Sequence, residues 1–154
     1  MRQGEPDADL RFVASGVVKL VYADAAGRNF TKSILEQGDL FASLAALRGG
    51  FASFGAVAIT DGEIEALPWA AIDELTERCH AWQTVARRCF ETLARRKEQR
   101  EFELLTLSAS ERWRRLGIER PELVARLPQT ELAALVGITP VALSRLKART
   151  PRHP

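Results

Sequence analysis

Apolar residues recur along this chain in two different rhythms, one in each half. Between Gly16 and Gly38 the segments VVKLVYADAA and RNFTKSILEQ carry Val, Tyr, Phe, Thr and Ile in short runs, and Gly16, Gly27 and Gly38 fall eleven residues apart. That is the punctuation of paired strands. Asp61-Gly62 separates AVAIT from EIEAL, and a two-residue Asp-Gly between alternating segments predicts a hairpin, because both turn positions then need positive φ. Segment 40–50, LFASLAALRGG, breaks the alternation: Leu40, Leu44 and Leu47 recur at helical spacing ahead of Gly49-Gly50, which predicts a short helix inserted between strands. Pro68 opens PWAAIDELTER, with Trp69, Ile72 and Leu75 on one face and proline at a first helical position. Residues 1–80 therefore read as an antiparallel β-roll closed by a helix.

The second half reads as helices. From Ala81 to Leu107 there is neither Gly nor Pro, and Trp82, Val85, Cys89 or Phe90, and Leu93 recur at three- and four-residue steps. At about 1.5 Å rise per residue this helix, residues 81–107, is about 40 Å long, more than one small domain covers. Its apolar stripe predicts burial against a second copy of the chain, a homodimer, with packing on the roll as the alternative; Arg96, Lys97 and Arg100 interrupt the pattern. Ser108 and Ser110 mark a break, and Ser110-Glu111 is placed to cap the next helix, ERWRRLGI.

Residues 129–148, QTELAALVGITPVALSRLKA, place the side-chain types of a helix-turn-helix where sterics require them. Leu132, Val136, Ile138, Leu143 and Leu146 are apolar and point between two crossing helices, and Ala133 is small where the helices approach. Gly137 supplies the left-handed turn, Thr139 the N-cap and Pro140 the first helical position. The outward residues Val141, Ser144, Arg145, Lys147 and Arg149, with Gln129 and Thr130 at the start of the first helix and Thr139 at the turn, are candidate DNA contacts, and Arg145 is the candidate base reader.

Composition sharpens this reading. The chain has 154 residues, 46% hydrophobic and 27% charged, enough to bury a core. No apolar run approaches the ~20 residues of a membrane span, and MRQGEPDADL lacks the basic-then-apolar pattern of a secretion signal, so the expected location is the cytoplasm and no membrane partner is expected. Cys79 and Cys89 show neither a disulfide framework nor a zinc spacing. The net charge of +2 conceals an asymmetry: residues 1–80 carry 7 Lys+Arg against 12 Asp+Glu, net −5, and residues 81–154 carry 15 against 8, net +7. From Leu132 to Pro154 there are four basic residues and no acid, the local bias of a surface that meets a polyanion. No Ser-His-Asp, paired-carboxylate, metal or phosphate-loop constellation is present, so no enzyme is expected.

These residues resemble the Crp/Fnr family of bacterial transcription regulators. GEPDADLRFVASGVVKLVYADAAGRNF is similar to the family's Gly-acid turn, apolar-apolar-x-x-Gly strand pair and second Gly turn. The run from Ser108 to Ala148 resembles the branch with an S-A-x-E-R helix start, P-E-L, R-x-P-Q and then L-A-x-x-x-G-I-T-P-x-x-L-S-R. The resemblance implies an α+β chain: a cyclic-nucleotide-binding-like sensory roll (1–80), a dimerisation helix (81–107) carrying Trp82, Val85, Cys89 and Leu93, and a helix-turn-helix domain (108–154). It implies a homodimer on a palindromic promoter site, with RNA polymerase and an unidentified small-molecule effector as further partners.

The chain departs from the family pattern in three places. Where the family carries a Glu for the ribose and an Arg for the cyclic phosphate, this sequence reads Phe41-Ala42-Ser43-Leu44 and Ala52-Ser53-Phe54-Gly55, with only Arg48 nearby as a substitute cation. The expected effector region, Phe41, Ala42, Ser43, Leu44, Arg48 and Ser53, therefore disfavours cyclic nucleotide held in the usual mode, and no cofactor is evident. No cysteine precedes Cys79, and His80 and His153 are isolated, so metal sensing has no visible ligands. The sequence starts where family members have passed their first strands, which predicts an unpaired roll edge, and it stops after the recognition helix without a wing. The competing expectation is a sensory or scaffold roll that binds a partner protein or a cyclic nucleotide without reading DNA sequence.

Overall fold

The structure, a computed structural model, describes residues 1–47 and 49–149. Among the described residues it is α+β: six short strands in two antiparallel three-stranded sheets are followed by six helices. One sheet has the order β4-β1-β6, from β1 (Asp9–Val13), β4 (Leu40–Phe41) and β6 (Ile64–Pro68), and the other the order β3-β2-β5, from β2 (Val18–Ala23), β3 (Asn29–Leu35) and β5 (Gly55–Ala58). The helices are α1 (Trp69–Arg78), α2 (His80–Thr106), α3 (Ala109–Glu119), α4 (Pro121–Arg126), α5 (Gln129–Val136) and α6 (Pro140–Arg149). Two compact units result, Met1–Lys97 and Glu98–Pro154, so the division falls inside α2 and not at its ends. No helix of the described residues is long and apolar enough to cross a membrane.

In the first unit the alternation of strand residues sends Val13, Val18, Leu20 and Leu35 inward with Phe41 and Phe54, and these six form the roll's buried cluster. The chain changes sheet at every connection except β2–β3, and two of these crossovers lie side by side, the first between β1 and β2 and the second between β5 and β6. This second crossover corrects the hairpin expected at Asp61-Gly62: β5 pairs with β2, β6 pairs with β1, and neither Asp61 nor Gly62 has a positive φ. The glycine is needed for a different reason. The two crossovers lie backbone to backbone, with Ala14 N–H donating to Glu63 O at 2.9 Å and Val17 N–H to Thr60 Oγ1 at 3.0 Å. A Cβ on Gly62 would stand 2.3 Å from Ser15 O and 2.8 Å from the Gly16 Cα, so only a residue without a side chain fits.

Three more local expectations change. Segment 40–50 starts as strand β4 and continues as a turn in which Ala46 and Leu47 N–H both donate to Ser43 O; its described residues include no helix. The apolar spacing does not make a stripe there, because Leu44 is 57% exposed while Leu47 is buried. Pro68 is the cap residue of α1 and the last residue of β6, one position earlier than expected. The edge expected to be open is occupied along β5 and the residues before it. Ala56 N–H donates to Met1 O, Gly4 N–H to Ala52 O and Ala52 N–H to Glu5 O, and Pro6 bridges Phe51.

Gly62→Ala is expected to destabilise the protein by about 1–3 kcal/mol, because backbone on both sides must move to admit the methyl. Gly117 in α3 has nothing within 4 Å of its ideal Cβ. Gly117→Ala should therefore stabilise by about 0.5–1 kcal/mol. Urea unfolding of the two variants against the parent chain checks both signs.

Candidate nucleic-acid interface

In the second unit the two helices of the 129–148 motif form as the local sequence dictates. α5 ends at Gly137, whose φ of 80° and ψ of 36° are left-handed, and the turn is sealed by Gly137 N–H to Ala134 O and Ile138 N–H to Ala133 O. Thr139 Oγ1 then accepts from Ala142 N–H at 3.2 Å, and Pro140 begins α6 without losing a hydrogen bond. Leu132, Ala133, Leu135, Val136 and Leu143 are buried with Leu123 and Leu127 of the preceding helix and its end, while Leu146 and Ile138 are half-buried. Gln129 Nε2 donates to Pro140 O at 3.1 Å, which ties the start of α5 to the start of α6.

The outward face of α6 is Val141, Ala142, Ser144, Arg145, Lys147 and Arg149, all exposed; Val141 is 61% exposed at the first turn. Thr130 and Thr139 are exposed on the same motif. Sequence reasoning missed two contacts of this unit. Lys147 Nζ lies 4.9 Å from the Trp113 ring, a cation–π contact that fixes the direction of its stem. Arg112 Nε donates to Val136 O at 2.8 Å, and its Nη1 donates to Leu107 O and to Glu103 O at 3.4 Å. One guanidinium thus satisfies the last carbonyls of both α2 and α5. The R of the S-A-x-E-R run was the available signal, but sequence does not say which carbonyls it would reach.

Ser108, and not Ser110, caps α3: its hydroxyl accepts from Glu111 N–H and the Glu111 carboxylate accepts from Ser108 N–H at 2.8 Å, a complete capping box. The helix therefore starts two residues earlier than expected, and the hydrogen bonds from Ser108 hold the Glu111 carboxyl below the ordinary range.

The first unit holds the expected effector region. Phe41, Ala42 and Ser43 are buried, Leu44 and Ser53 are exposed, and Arg48 lies outside the described residues. Ser43 Oγ accepts from Ser53 N–H at 2.9 Å and meets Ser53 Oγ at 3.2 Å, so Ser43 is engaged by the neighbouring loop. No residue in 41–44 or 52–55 carries a charge. These positions do not fit a cyclic nucleotide clasped by a carboxylate and a guanidinium.

The stripe of α2 within this unit, Trp82, Val85, Cys89 and Leu93, lines a small apolar cleft with Leu10, Ala42, Leu47, Trp69 and Ile72. Its volume of about 30 Å³ is far below the roughly 300 Å³ at which small-molecule sites begin. Trp69 meets Phe90 edge-on at 5.2 Å. Partial burial pushes the Cys89 thiol up. Arg96, which interrupts the stripe in sequence, turns to Asp39 of the roll at 2.5 Å.

Leu143→Ala, which empties a fully buried position where α5 and α6 meet, is expected to cost about 2–5 kcal/mol in the second unit. Hydrogen exchange should show lost protection over α4 to α6 while β2 and β3 are unchanged.

Comparison with known proteins places this geometry. Residues 1–79 match the family described as "Cyclic nucleotide-binding domain". The chain is 32% identical over 151 residues to the cyclic AMP receptor protein of Thermus thermophilus, covering 94% of this chain and 68% of that protein. The crystal structure of the Thermus thermophilus catabolite activator protein superposes with a TM-score of 0.58 at 31% identity, covering 96% of this chain and 71% of that one. FixK2 from Bradyrhizobium japonicum gives a TM-score of 0.76 at 18% identity over 96% of this chain and 77% of its own, a likeness of fold.

Proposed function

The chain belongs to the Crp/Fnr family of transcription regulators, and from that premise we propose that it reads a palindromic DNA site as a homodimer through α6. The observation that carries the reading is the capped, acid-free face of α6. A helix that begins at a Thr-Pro cap and exposes Val141, Ala142, Ser144 and Arg145 along its first turns presents short side chains and one guanidinium to whatever it enters. That matches a recognition helix, whose N-terminal residues lie nearest the base edges of the major groove. Arg145 supplies the donor fork that fits guanine O6 and N7. Lys147, Arg149, Gln129 and Thr130 surround it as phosphate contacts, which set affinity and register without reading sequence.

The dimer rests on α2. Trp82, Val85, Cys89 and Leu93 reach the roll only along one side, and Val85 and Phe90 remain exposed. Farther along the helix Phe102 is 53% and Leu105 77% exposed. A second copy of α2 is the partner whose surface is complementary to such a stripe by symmetry. Two recognition helices related by a two-fold axis then sit about 34 Å apart, one turn of DNA. The regulators to which this chain is related are not enzymes, and the roll acts in this reading as the sensory part. A ligand that binds one pose of the dimer better than another shifts the population of the DNA-reading pose.

On DNA enriched from genomic fragments by the purified protein, Arg145→Ala should cost about 1–3 kcal/mol of binding and relax preference at one base position of each half-site. Arg149→Ala should weaken cognate and scrambled DNA alike and lower the salt dependence. Fluorescence anisotropy titrations at several salt concentrations separate the two. Equal loss on both DNAs for Arg145→Ala removes its base-reading role.

A further inference from the structure

Only Leu107 and Ser108 separate α2 from α3, and the first turn of α3 carries a guanidinium whose donors go in two directions. Arg112 Nε donates to Val136 O at 2.8 Å, the last carbonyl of α5 before the left-handed Gly137. Arg112 Nη1 donates to Glu103 O at 3.4 Å, in the last turn of α2, and to Leu107 O just past it. All of these residues belong to the second unit. A helix leaves its last carbonyls unpaired and its C-terminus partially negative, so a cation set between two such ends is held without a carboxylate. Arg112 is in that position. It is half-buried, and among the described residues no carboxylate lies within ion-pair distance of it.

The same contacts reach the turn that leads into α6. A Cβ placed on Gly137 would lie 3.5 Å from Leu104 Cδ2 and 3.8 Å from Arg112 Nη2, so the last turn of α2 and the guanidinium both stand against the turn. From there the chain is tied into one piece with α6, by Ile138 N–H to Ala133 O, by the Thr139 cap and by the bond from Gln129 to Pro140 O. Arg112 thus fastens that piece to the end of α2. A lysine offers a single point charge, whereas the planar guanidinium serves carbonyls of two helices at once. The second tie between α2 and α3, Glu103 with Arg115 at 3.5 Å, is a partly exposed ion pair that contributes little.

We infer that Arg112 is a positioning residue that fixes the recognition helix α6 relative to the end of α2, and so sets the spacing of half-sites that a dimer of this chain accepts. The inference rests on the reading of DNA by a dimer joined through α2, and it names what determines the geometry of that dimer. With α2 at the two-fold axis, any displacement of α6 from α2 appears twice, once on each side of the axis. Half-site spacing is the DNA property that registers such a displacement.

Anisotropy titrations of the full chain test this on the enriched palindrome, on the same palindrome with one or two base pairs added to or removed from its centre, and on a single half-site. The parent chain should lose about tenfold or more in affinity away from the best spacing. Arg112→Met should bind the best spacing about tenfold more weakly, bind the altered spacings within a few-fold of it, and bind the single half-site as the parent does. A substitution that merely unfolds the reading head weakens the half-site in equal measure. Arg114→Met, on the exposed side of the same helix, removes a charge without touching the carbonyls and should keep the parent spacing preference. A second measurement needs no DNA. Spin labels at Glu101→Cys and Val141→Cys, both exposed, are placed in a chain whose native cysteines are changed to serine, and unlabelled chain is added so that only intrachain pairs are read. The distance distribution should be narrow with Arg112 present and broad in Arg112→Met. The proposal is overturned if Arg112→Met keeps the parent spacing preference, loses half-site and palindrome binding equally, or leaves the distribution narrow. A parent chain with no spacing preference would overturn the dimeric DNA reading, and the distance distributions would still decide whether Arg112 holds α6 to α2.

Discussion

A helix of 27 residues with no fully buried side chain, as α2 is, depends on cover for its apolar side. Isolated helices gain little from hydrogen bonding alone, and most of their stability comes from burying one face. The roll covers part of that face through Trp69, Ile72 and Leu47, and the Arg96–Asp39 pair fixes the azimuth of α2 against β4's approach. At its C-terminal end Arg112 gathers the terminal carbonyls of α2 and α5. The helix is therefore held by polar contacts past its middle and at its C-terminal end, and left incomplete along its length by apolar ones. That incompleteness is why the account turns on a second copy of the chain.

The two units are built on opposite principles. The roll is held by backbone geometry: two crossovers in close contact at Gly16 and Gly62, a bulge at Lys32, and N-terminal residues that complete the edge beside β5. The second unit is held by side chains, with Leu132, Ala133, Val136 and Leu143 buried between short helices. Such a division suits the roles proposed for the two units. In the second unit Gly137, the Thr139 cap and the Gln129 bond to Pro140 each remove a freedom at the turn.

How far the sequence alone carried depended on whether a feature was local. The helix-turn-helix was legible because every one of its determinants lies within twenty residues: periodic Leu and Val, a left-handed Gly, and a Thr-Pro start. The β2–β3 hairpin around Gly27 was legible for the same reason. What failed was decided at long range. Asp61-Gly62 has the composition of a hairpin turn, yet its strands belong to different sheets, and the glycine answers to Ser15 across the crossover. LFASLAALRGG has helical spacing, yet β1 claims Leu40 and Phe41 as a strand and leaves only one turn. Ser108 outcompeted Ser110 as cap because Glu111 lies three residues after it, as a capping box requires.

The central claim is that two copies of this chain present two α6 helices to one DNA turn, and a hydroxyl-radical footprint on DNA enriched from genomic fragments tests it most directly. The account predicts protection of two half-sites related by a dyad, with centres about 10 base pairs apart. It also predicts two chains bound per duplex and loss of both protected regions together as the protein is diluted. A single unsymmetrical protected region, or uniform protection that fades with salt and ignores sequence, would contradict it.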